Sequence, residues 1–186
     1  MADYKMIDKF NGDYEFLSNF YECPITYKGI TYRNAEAAYQ AQKCPERAHE
    51  FSNLTGAEAK KLGREVPLRN WWEQLKVYEM KNILEEKFQQ NPELKQKLID
   101  TKTMFIEEGN WWGDTFWGVC TNKKYNHEGE NQLGKILMQK RYTYQIKIGI
   151  TDYKPKEYWE YYIDEELAKE IKIMEEEEYS KYSYIK

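Results

Sequence analysis

The sequence predicts a mostly helical α+β fold: a single domain with short strands and an N-terminal hairpin, then a C-terminal appendage made of a strand and a helix. The chain has 186 residues, a length typical of one domain with a sizeable core. An alternating apolar pattern over residues 25–32 indicates the hairpin, and helical patterns with clear start and stop signals follow it. We place the domain at residues 1–142 and the acidic, tyrosine-rich appendage at residues 143–186.

The first element is a loop over residues 10–21. It has turn chemistry at Asn11 and Gly12, and apolar rings flank the small polar pair Ser18 and Asn19. This pattern predicts a loop that its rings hold in place. Whether it faces a pocket or is a plain turn stays open.

The hairpin leads directly into a short helix. Lys28 and Gly29 separate the two alternating runs and predict a primed turn. Asn34 is a favoured N-cap residue, and Pro45 cannot continue a helix. The sequence therefore predicts a strand-to-helix junction and a helix within residues 34–45.

One face of this helix carries Glu36, Gln40 and Lys43, while alanines fill most of the remaining surface. Two interpretations stay open: a solvated helix, or a catalytic helix that presents a carboxylate, an amide and an ammonium together. The helix dipole favours a negative charge in the first turn. We therefore expect Glu36 to be ionised and to act as a base.

Three further helices are predicted in the middle of the chain. Thr55 and Glu58 form a capping-box pattern at the start of a short helix. Asn70 is predicted to cap the longest helix, at residues 71–90. Pro92 then begins another helix.

A tryptophan-rich loop over residues 109–119 follows a short predicted strand at residues 103–108. It contains three tryptophans, three glycines and Asp114. Rings around a carboxylate, with glycines that allow close approach, are typical of a floor for a planar ligand. A tryptophan-rich corner of the core is the alternative.

The last elements are a helix, a strand and an acidic helix. The first helix is predicted at residues 131–141 with Asn131 as its cap, and its start beside Lys135 is suited to a phosphate, although no P-loop precedes it. Residues 142–150 alternate like a strand, and residues 164–182 read as an acidic helix.

Composition and charge argue against metal binding and against broad contact with nucleic acid. The net charge is −4 and the pI about 5.5, so contact with nucleic acid requires a local basic patch. Three scattered cysteines and two histidines match no metal spacing, and the odd number of cysteines is typical of reduced thiols. Neither a signal peptide nor a membrane span is evident, so we expect a cytoplasmic protein. The aromatic fraction of 16% suggests rings that stack on a ligand.

Six segments in order make the sequence resemble one family, the NADAR superfamily, which includes the YbiA-type N-glycosidases. They are residues 16–21, residues 32–36 with 40–43, residues 69–71, Met80 with residues 87–88, residues 114–118, and residues 129–138 with Arg141. The resemblance covers roughly residues 8–142 and does not extend to the appendage. One departure is Asn70, where relatives often carry Asp.

The resemblance implies a small α+β hydrolase that uses neither metal nor cofactor and cleaves N-glycosidic bonds to ribose. The implied substrates are ribosylaminopyrimidine phosphates of riboflavin synthesis, or ADP-ribosylated guanine, either as a small molecule or within nucleic acid. The resemblance matches Glu36 to the catalytic glutamate, Asp114 to a pocket aspartate, and Trp71 and Trp117 to pocket tryptophans. With the chemistry of the reaction, the expected catalytic residues are Glu36, Asp114 and Lys43. The expected substrate-binding residues are Ser18, Asn19, Phe20, Gln40, Arg69, Trp71, Trp117, Gly118, Asn131 and Lys135.

Cleavage of a ribosyl C–N bond passes through an oxocarbenium-like state that needs negative charge, water and help for the departing base. Glu36 is expected to activate water or to stabilise the cation, and Asp114 to orient the ribose or assist the leaving group. A rival mechanism uses Lys43 as a nucleophile that forms a Schiff base. Two other classes remain open: a non-catalytic ADP-ribose or NAD-binding module, and an interaction protein that acts through its acidic tail.

Overall fold

The computed structural model of this protein describes residues 5–150. Within this range five α-helices and two 3₁₀ helices surround three two-stranded sheets. The predicted mostly helical α+β fold is confirmed. The predicted acidic helix at residues 164–182 lies outside the described residues.

The hairpin forms as predicted. Strands β1 (Met6–Ile7), β2 (Glu22–Tyr27) and β3 (Ile30–Asn34) come first in the chain, and β2 pairs antiparallel with β3. Lys28 and Gly29 have φ angles of 48° and 81°, which are the positive values of a primed turn.

Helix α1 (Ala35–Ala41) follows β3 without a loop. The Asn34 side chain accepts a hydrogen bond from the Ala37 N–H at 2.8 Å and so caps the helix as predicted. The helix ends earlier than Pro45, which instead begins the 3₁₀ helix Pro45–Phe51. All residues of α1 are buried, so the interpretation of a solvated helix is wrong.

Helices α2 (Gly56–Leu62), α3 (Trp72–Gln90) and α4 (Pro92–Asp100) follow. The capping box of α2 is confirmed, with Glu58 accepting from the Thr55 N–H at 2.9 Å. The cap predicted at Asn70 is wrong: Trp71 occupies the position before α3, and its side chain makes no capping hydrogen bond. Helix α1 contacts the hairpin, α2 and α3, and therefore lies in the centre of the core.

The remaining strands are short. Strand β4 (Phe105–Ile106) pairs parallel with β1, and β5 (Gly109–Asn110) pairs parallel with β6 (Val119–Cys120). The tryptophan-rich loop connects β5 to β6. Its two ends are therefore fixed side by side.

Helix α5 (Gln132–Lys147) corrects the prediction of a strand at residues 142–150. Arg141, Tyr144 and Gln145 are buried at helical spacing, and Arg141 donates to the Thr101 hydroxyl on the α4 side at 2.9 Å. This burial on one helical face overrides the local alternation. Among residues 5–150, no helix combines the length and apolar character that crossing a bilayer requires.

The N-terminal loop is more ordered than its turn chemistry suggested. A 3₁₀ helix at Gly12–Leu17 buries Phe16 and Leu17. Ser18 and Asn19 come directly after it, so the buried rings fix the position of this polar pair.

Candidate active site

Glu36 lies in the first turn of α1 and is 6% exposed. Its N–H donates to the Asn19 carbonyl at 2.9 Å, and its Oε1 accepts from Gln40 Nε2 at 2.8 Å. The carboxyl is therefore fixed by the strand-to-helix junction, by the N-terminal loop and by a side chain one turn further along α1.

Burial raises the pKa of Glu36 above its ordinary value. The hydrogen bond from Gln40 and the charges of Lys60 and Lys43 oppose this shift, whereas the charge of Asp114 adds to it. The helix dipole therefore does not lower the pKa of Glu36 below its ordinary value. Loss of solvation outweighs the dipole in so buried a position.

Lys43 follows α1 and donates from Nζ to the Gly63 carbonyl at 3.2 Å. Burial lowers its pKa, and the nearby charges of Lys60 and Arg64 lower it further, while that of Glu36 raises it. Lys43 and Lys60 thus bring two ammonium groups within electrostatic range of the buried carboxyl.

Asp114 organises the tryptophan-rich loop. Its Oδ1 accepts from the N–H groups of Phe116 at 3.1 Å and Trp117 at 2.9 Å. Asn110 holds the same loop, since its Nδ2 donates to the Asp114 carbonyl at 2.6 Å. Because the charge of Asp114 acts on Glu36, the loop and α1 lie close enough for their carboxyls to interact.

A third carboxyl, Glu108, was missed in the sequence interpretation. It follows β4, and its Oε2 is buried without a hydrogen-bond partner among residues 5–150. Burial, together with the charges of Asp114 and Glu36, raises the pKa of Glu108 to about 8. Its place between a predicted strand and a loop rich in aromatic residues was the available signal.

The tryptophans of the loop divide into two groups. Trp117 packs edge-on against Tyr39 of α1, with ring centroids 5.5 Å apart, and against Phe116 at 5.0 Å. Trp111 and Trp112 are 70% and 69% exposed. The core interpretation therefore holds for Trp117, which packs against the core. The other two rings face solvent, and a floor for a planar ligand stays a prediction.

Trp71 is held in an unusual conformation. Its φ is 63°, a left-handed value that is strained for a bulky residue, and its side chain is half exposed. The strain places an aromatic ring at the surface beside the start of α3. Two residues earlier, the backbone N–H of Arg69 donates to the Lys43 carbonyl at 2.7 Å. The segment before α3 therefore lies close to the end of α1.

The N-terminal loop contributes the other predicted contacts. The Ser18 hydroxyl accepts from the Phe20 N–H at 3.1 Å, and Asn19 is buried with an Oδ1 that has no partner among the described residues. The Phe20 ring packs against Gly56, where a Cβ would overlap it. Lys60 Nζ lies 5.9 Å from the centroid of that ring.

Arg69 is engaged in the interior. Its side chain is 4% exposed, and Nη2 donates to Glu79 Oε1 at 2.7 Å. This geometry favours a role in holding the fold, and contact of Arg69 with a phosphate stays a prediction.

Gly118 and Asn131 both lie against the backbone of Glu108. A Cβ at Gly118 would overlap the Glu108 carbonyl oxygen. Asn131 occupies the predicted N-cap position of α5, but it has φ 53° and its side chain makes no capping hydrogen bond. Its Oδ1 instead accepts from the Glu108 N–H at 3.0 Å. Lys135 is half-buried in the first turn of α5, and its contact with phosphate stays a prediction.

A cleft lies apart from these residues. It has a volume of about 470 Å³, lies between the first 3₁₀ helix and α4, is lined by residues that include Tyr14 and Lys97, and contains no predicted site residue. Within residues 5–150, no group of three or more His, Cys, Asp or Glu side chains is arranged to hold a metal ion.

Known proteins similar to this chain include a riboflavin biosynthesis protein and an N-glycosidase. A riboflavin biosynthesis protein of Vibrio vulnificus is 36% identical over 131 residues, which are 68% of this chain and 34% of that protein. The N-glycosidase YbiA of Escherichia coli is 34% identical over 134 residues, which are 69% of this chain and 81% of that protein. The chain thus spans about a third of the length of the Vibrio protein.

A solved structure and a family model complete the comparison. The NMR structure of the E. coli protein YbiA matches 84% of this chain and 93% of that chain, with 29% identity and a TM-score of 0.66. The family model described as NADAR domain matches residues 7–144. The resemblance drawn from the six segments is confirmed, and the chain belongs to the NADAR family as a member of the YbiA type.

Proposed function

We propose that this protein is an N-glycosidase that hydrolyses the C–N bond between ribose and a base in a phosphorylated, nucleotide-like substrate. The names of the E. coli and Vibrio relatives support this class of reaction. The single observation that carries the proposal is the buried carboxyl of Glu36, held by Gln40 at 2.8 Å, with the charges of Lys43, Lys60 and Asp114 acting on it.

Glu36 acts on the anomeric carbon. The transition state carries positive charge on the ribose, so a carboxylate held beside C1′ stabilises it or takes a proton from the attacking water. Burial that raises the pKa of Glu36 makes its carboxylate a stronger base. The charges of Lys43 and Lys60 favour the ionised form that this role needs.

Asp114 and the aromatic rings position the substrate. Asp114 orients the ribose hydroxyls, and Trp71 and Trp117 stack on the base or the sugar. Lys43 and Lys135 supply ammonium groups for a phosphate, and the charge of Lys60 acts in the same region as that of Lys43.

Release of base from defined substrates tests the proposal. The protein is incubated with ADP-ribosylated guanosine, with NAD and with the ribosylaminopyrimidine phosphates of riboflavin synthesis, and free base and ribose phosphate are measured. Glu36→Gln is expected to fold normally and to lose turnover, whereas Glu50→Gln, on the surface, serves as the matched control. Full turnover by Glu36→Gln would refute Glu36 as the catalytic residue. Binding of ADP-ribose without turnover by the wild type would instead support the alternative of a non-catalytic binding module.

The Schiff-base mechanism is the second candidate, because burial lowers the pKa of Lys43 and a neutral amine is the nucleophile that it requires. Borohydride added during turnover traps a covalent adduct if Lys43 attacks a ring-opened ribose. Lys43→Met removes that adduct, whereas Lys61→Met, on the exposed face of α2, retains it. Absence of any adduct under turnover supports direct attack by water.

We assign the protein to the cytoplasm. Cys23, Cys44 and Cys120 are all unpaired and buried, which agrees with a reducing compartment.

A further inference from the structure

We propose that Glu108 is the general acid that gives a proton to the departing base, an assignment that rests on the proposed N-glycosidase function. Glu36 then acts on the ribose side of the scissile bond and Glu108 on the base side. Asp114 is left to orient the sugar.

The backbone of Glu108 is held from two directions. Its N–H donates to Asn131 Oδ1 at 3.0 Å, and its carbonyl accepts from the Val119 N–H at 2.9 Å. Asn131 is itself buried and donates to the Ile106 carbonyl at 2.9 Å. Residues from β4, β6 and the start of α5 thus fix where the Glu108 side chain begins.

The side chain of Glu108 has unused hydrogen-bonding capacity. Its Oε2 is buried and has no partner among residues 5–150, which is costly unless a ligand or a proton satisfies it. Gln40, which is 4% exposed and bonded to Glu36, also has a buried Oε1 without a partner in this range. Two unsatisfied oxygens therefore occur on residues that interact with Glu36, as expected where a polar ligand binds.

Glu36 and Glu108 have different electrostatic surroundings. Glu36 accepts a hydrogen bond from Gln40, and the charges of Lys60 and Lys43 act on it. The charges of Asp114, from the tryptophan-rich loop, and of Glu36, from α1, both raise the pKa of Glu108, and that of Lys60, from α2, opposes them. Glu36 thus has a hydrogen bond and two ammonium charges that favour its carboxylate form, whereas Glu108 lies near two carboxylate charges that favour its protonated form.

The chemical step follows from this division. As the C1′–N bond breaks, its electron pair moves to the base nitrogen, which takes the proton of the Glu108 carboxyl. Water adds its oxygen to C1′ and gives a proton to the Glu36 carboxylate. The products are the free base with a new N–H and ribose with a hydroxyl at C1′. Transfer of one proton from Glu36 to Glu108 through solvent restores the starting state.

Glu107 provides a matched control. It precedes Glu108, is 5% exposed, and has Oε2 3.3 Å from His127 Nε2. A purely structural role for buried glutamates after β4 predicts similar effects of Glu107→Gln and Glu108→Gln.

The first test needs no turnover. Glutamate carboxyl carbons labelled with ¹³C are titrated by NMR in the wild type, Glu108→Gln and Glu107→Gln. We expect one carboxyl with a pKa of about 8 that is absent only from Glu108→Gln. A titration in which every carboxyl has an ordinary pKa would overturn the assignment.

The second test is kinetic. ADP-ribosylated guanosine and the ribosylaminopyrimidine phosphates release a base that must gain a proton, and on these we expect Glu108→Gln to lower kcat by roughly 10²–10⁴-fold. The basic limb of the pH profile should disappear with it, and Glu108→Asp should retain that limb at a reduced rate. Full kcat in Glu108→Gln, with Glu36→Gln inactive, would overturn the assignment and leave the proposed function intact. A wild type that releases no base would overturn the proposed function itself, whatever the titration shows.

Discussion

Glu79 on α3 and Glu36 on α1 are both buried carboxyls on helices in contact, yet their surroundings differ. The oxygens of Glu79 accept hydrogen bonds from Tyr27 at 2.7 Å, Lys28 at 2.9 Å and Arg69 at 2.7 Å. Glu36 accepts a hydrogen bond from Gln40 at 2.8 Å, and the Oε1 of that amide has no partner among the described residues. The comparison teaches that a buried charge with all its partners holds a fold together, whereas one in an incompletely satisfied cluster is available to a ligand.

The largest effect on stability is expected at Glu79. Glu79→Gln should lower the free energy of unfolding by about 3–5 kcal/mol, because it removes the negative charge that Arg69 and Lys28 pair with. Glu36→Gln should leave that free energy unchanged or raise it at neutral pH, since burial opposes the charge of Glu36. Urea unfolding measures both. Equal destabilisation by the two variants would show that Glu79 and Glu36 do not differ in their contribution to stability.

The region around Glu36 was predictable because its signals are local. The Asn34 side chain caps a helix only three residues away, and Lys28 with Gly29 form a turn within the hairpin. The capping box joins Thr55 to Glu58 over a similarly short distance. Such contacts depend on neighbouring residues and on backbone preferences that the sequence states directly.

The surroundings of Glu79 and Glu108 were not predictable, because they depend on tertiary contacts rather than on local sequence patterns. Arg69 was predicted to be a phosphate ligand, and no local pattern indicates its hydrogen bond to Glu79, ten residues away. The other partners of Glu79, Tyr27 and Lys28, meet it only when α3 packs on the hairpin. Glu108 depends on Asn131 and on the charge of Glu36, both distant in sequence. The helix dipole at Glu36 is a local effect, whereas the burial that outweighs it arises from the whole fold.

Glu108 should make stability depend on pH. The native state keeps the Glu108 proton up to a pKa of about 8, while the unfolded chain releases it near 4.5. Stability of the wild type should therefore fall as the pH rises between these values, with a slope of at most about 1.4 kcal/mol per pH unit. Glu108→Gln should show a flatter curve in urea unfolding at several pH values, with Glu107→Gln as the control. Parallel curves for wild type and Glu108→Gln would mean that this carboxyl titrates ordinarily.

Lys87 extends the comparison to a buried cation with a hydrogen bond to Ser18, whose carbonyl lies 2.7 Å from Nζ. Burial lowers the pKa of Lys87 to about 8 from an ordinary value of 10.5. Between these values the unfolded chain binds the proton more tightly, so stability of the wild type should rise with pH, with a slope of at most about 1.4 kcal/mol per pH unit. Lys87→Met should remove this rise in urea unfolding, and Lys61→Met should retain it. A rise that persists in Lys87→Met would assign it to another group.

The smallest effect on stability is expected at Trp112, and its effect on function separates the two substrate classes. Because the ring is 69% exposed, Trp112→Ala should change the free energy of unfolding by less than about 0.5 kcal/mol. Lys60 Nζ lies 5.9 Å from the centroid of this ring and equally far from that of Phe20, so an ammonium sits between two exposed aromatic rings. A base next to the modified one in a nucleic-acid strand stacks on such a surface with about 1–3 kcal/mol. Trp112→Ala should therefore raise KM for an ADP-ribosylated oligonucleotide and leave KM for ADP-ribosylated guanosine unchanged. If the substitution changes KM for neither substrate, the result favours a small free nucleotide as the substrate.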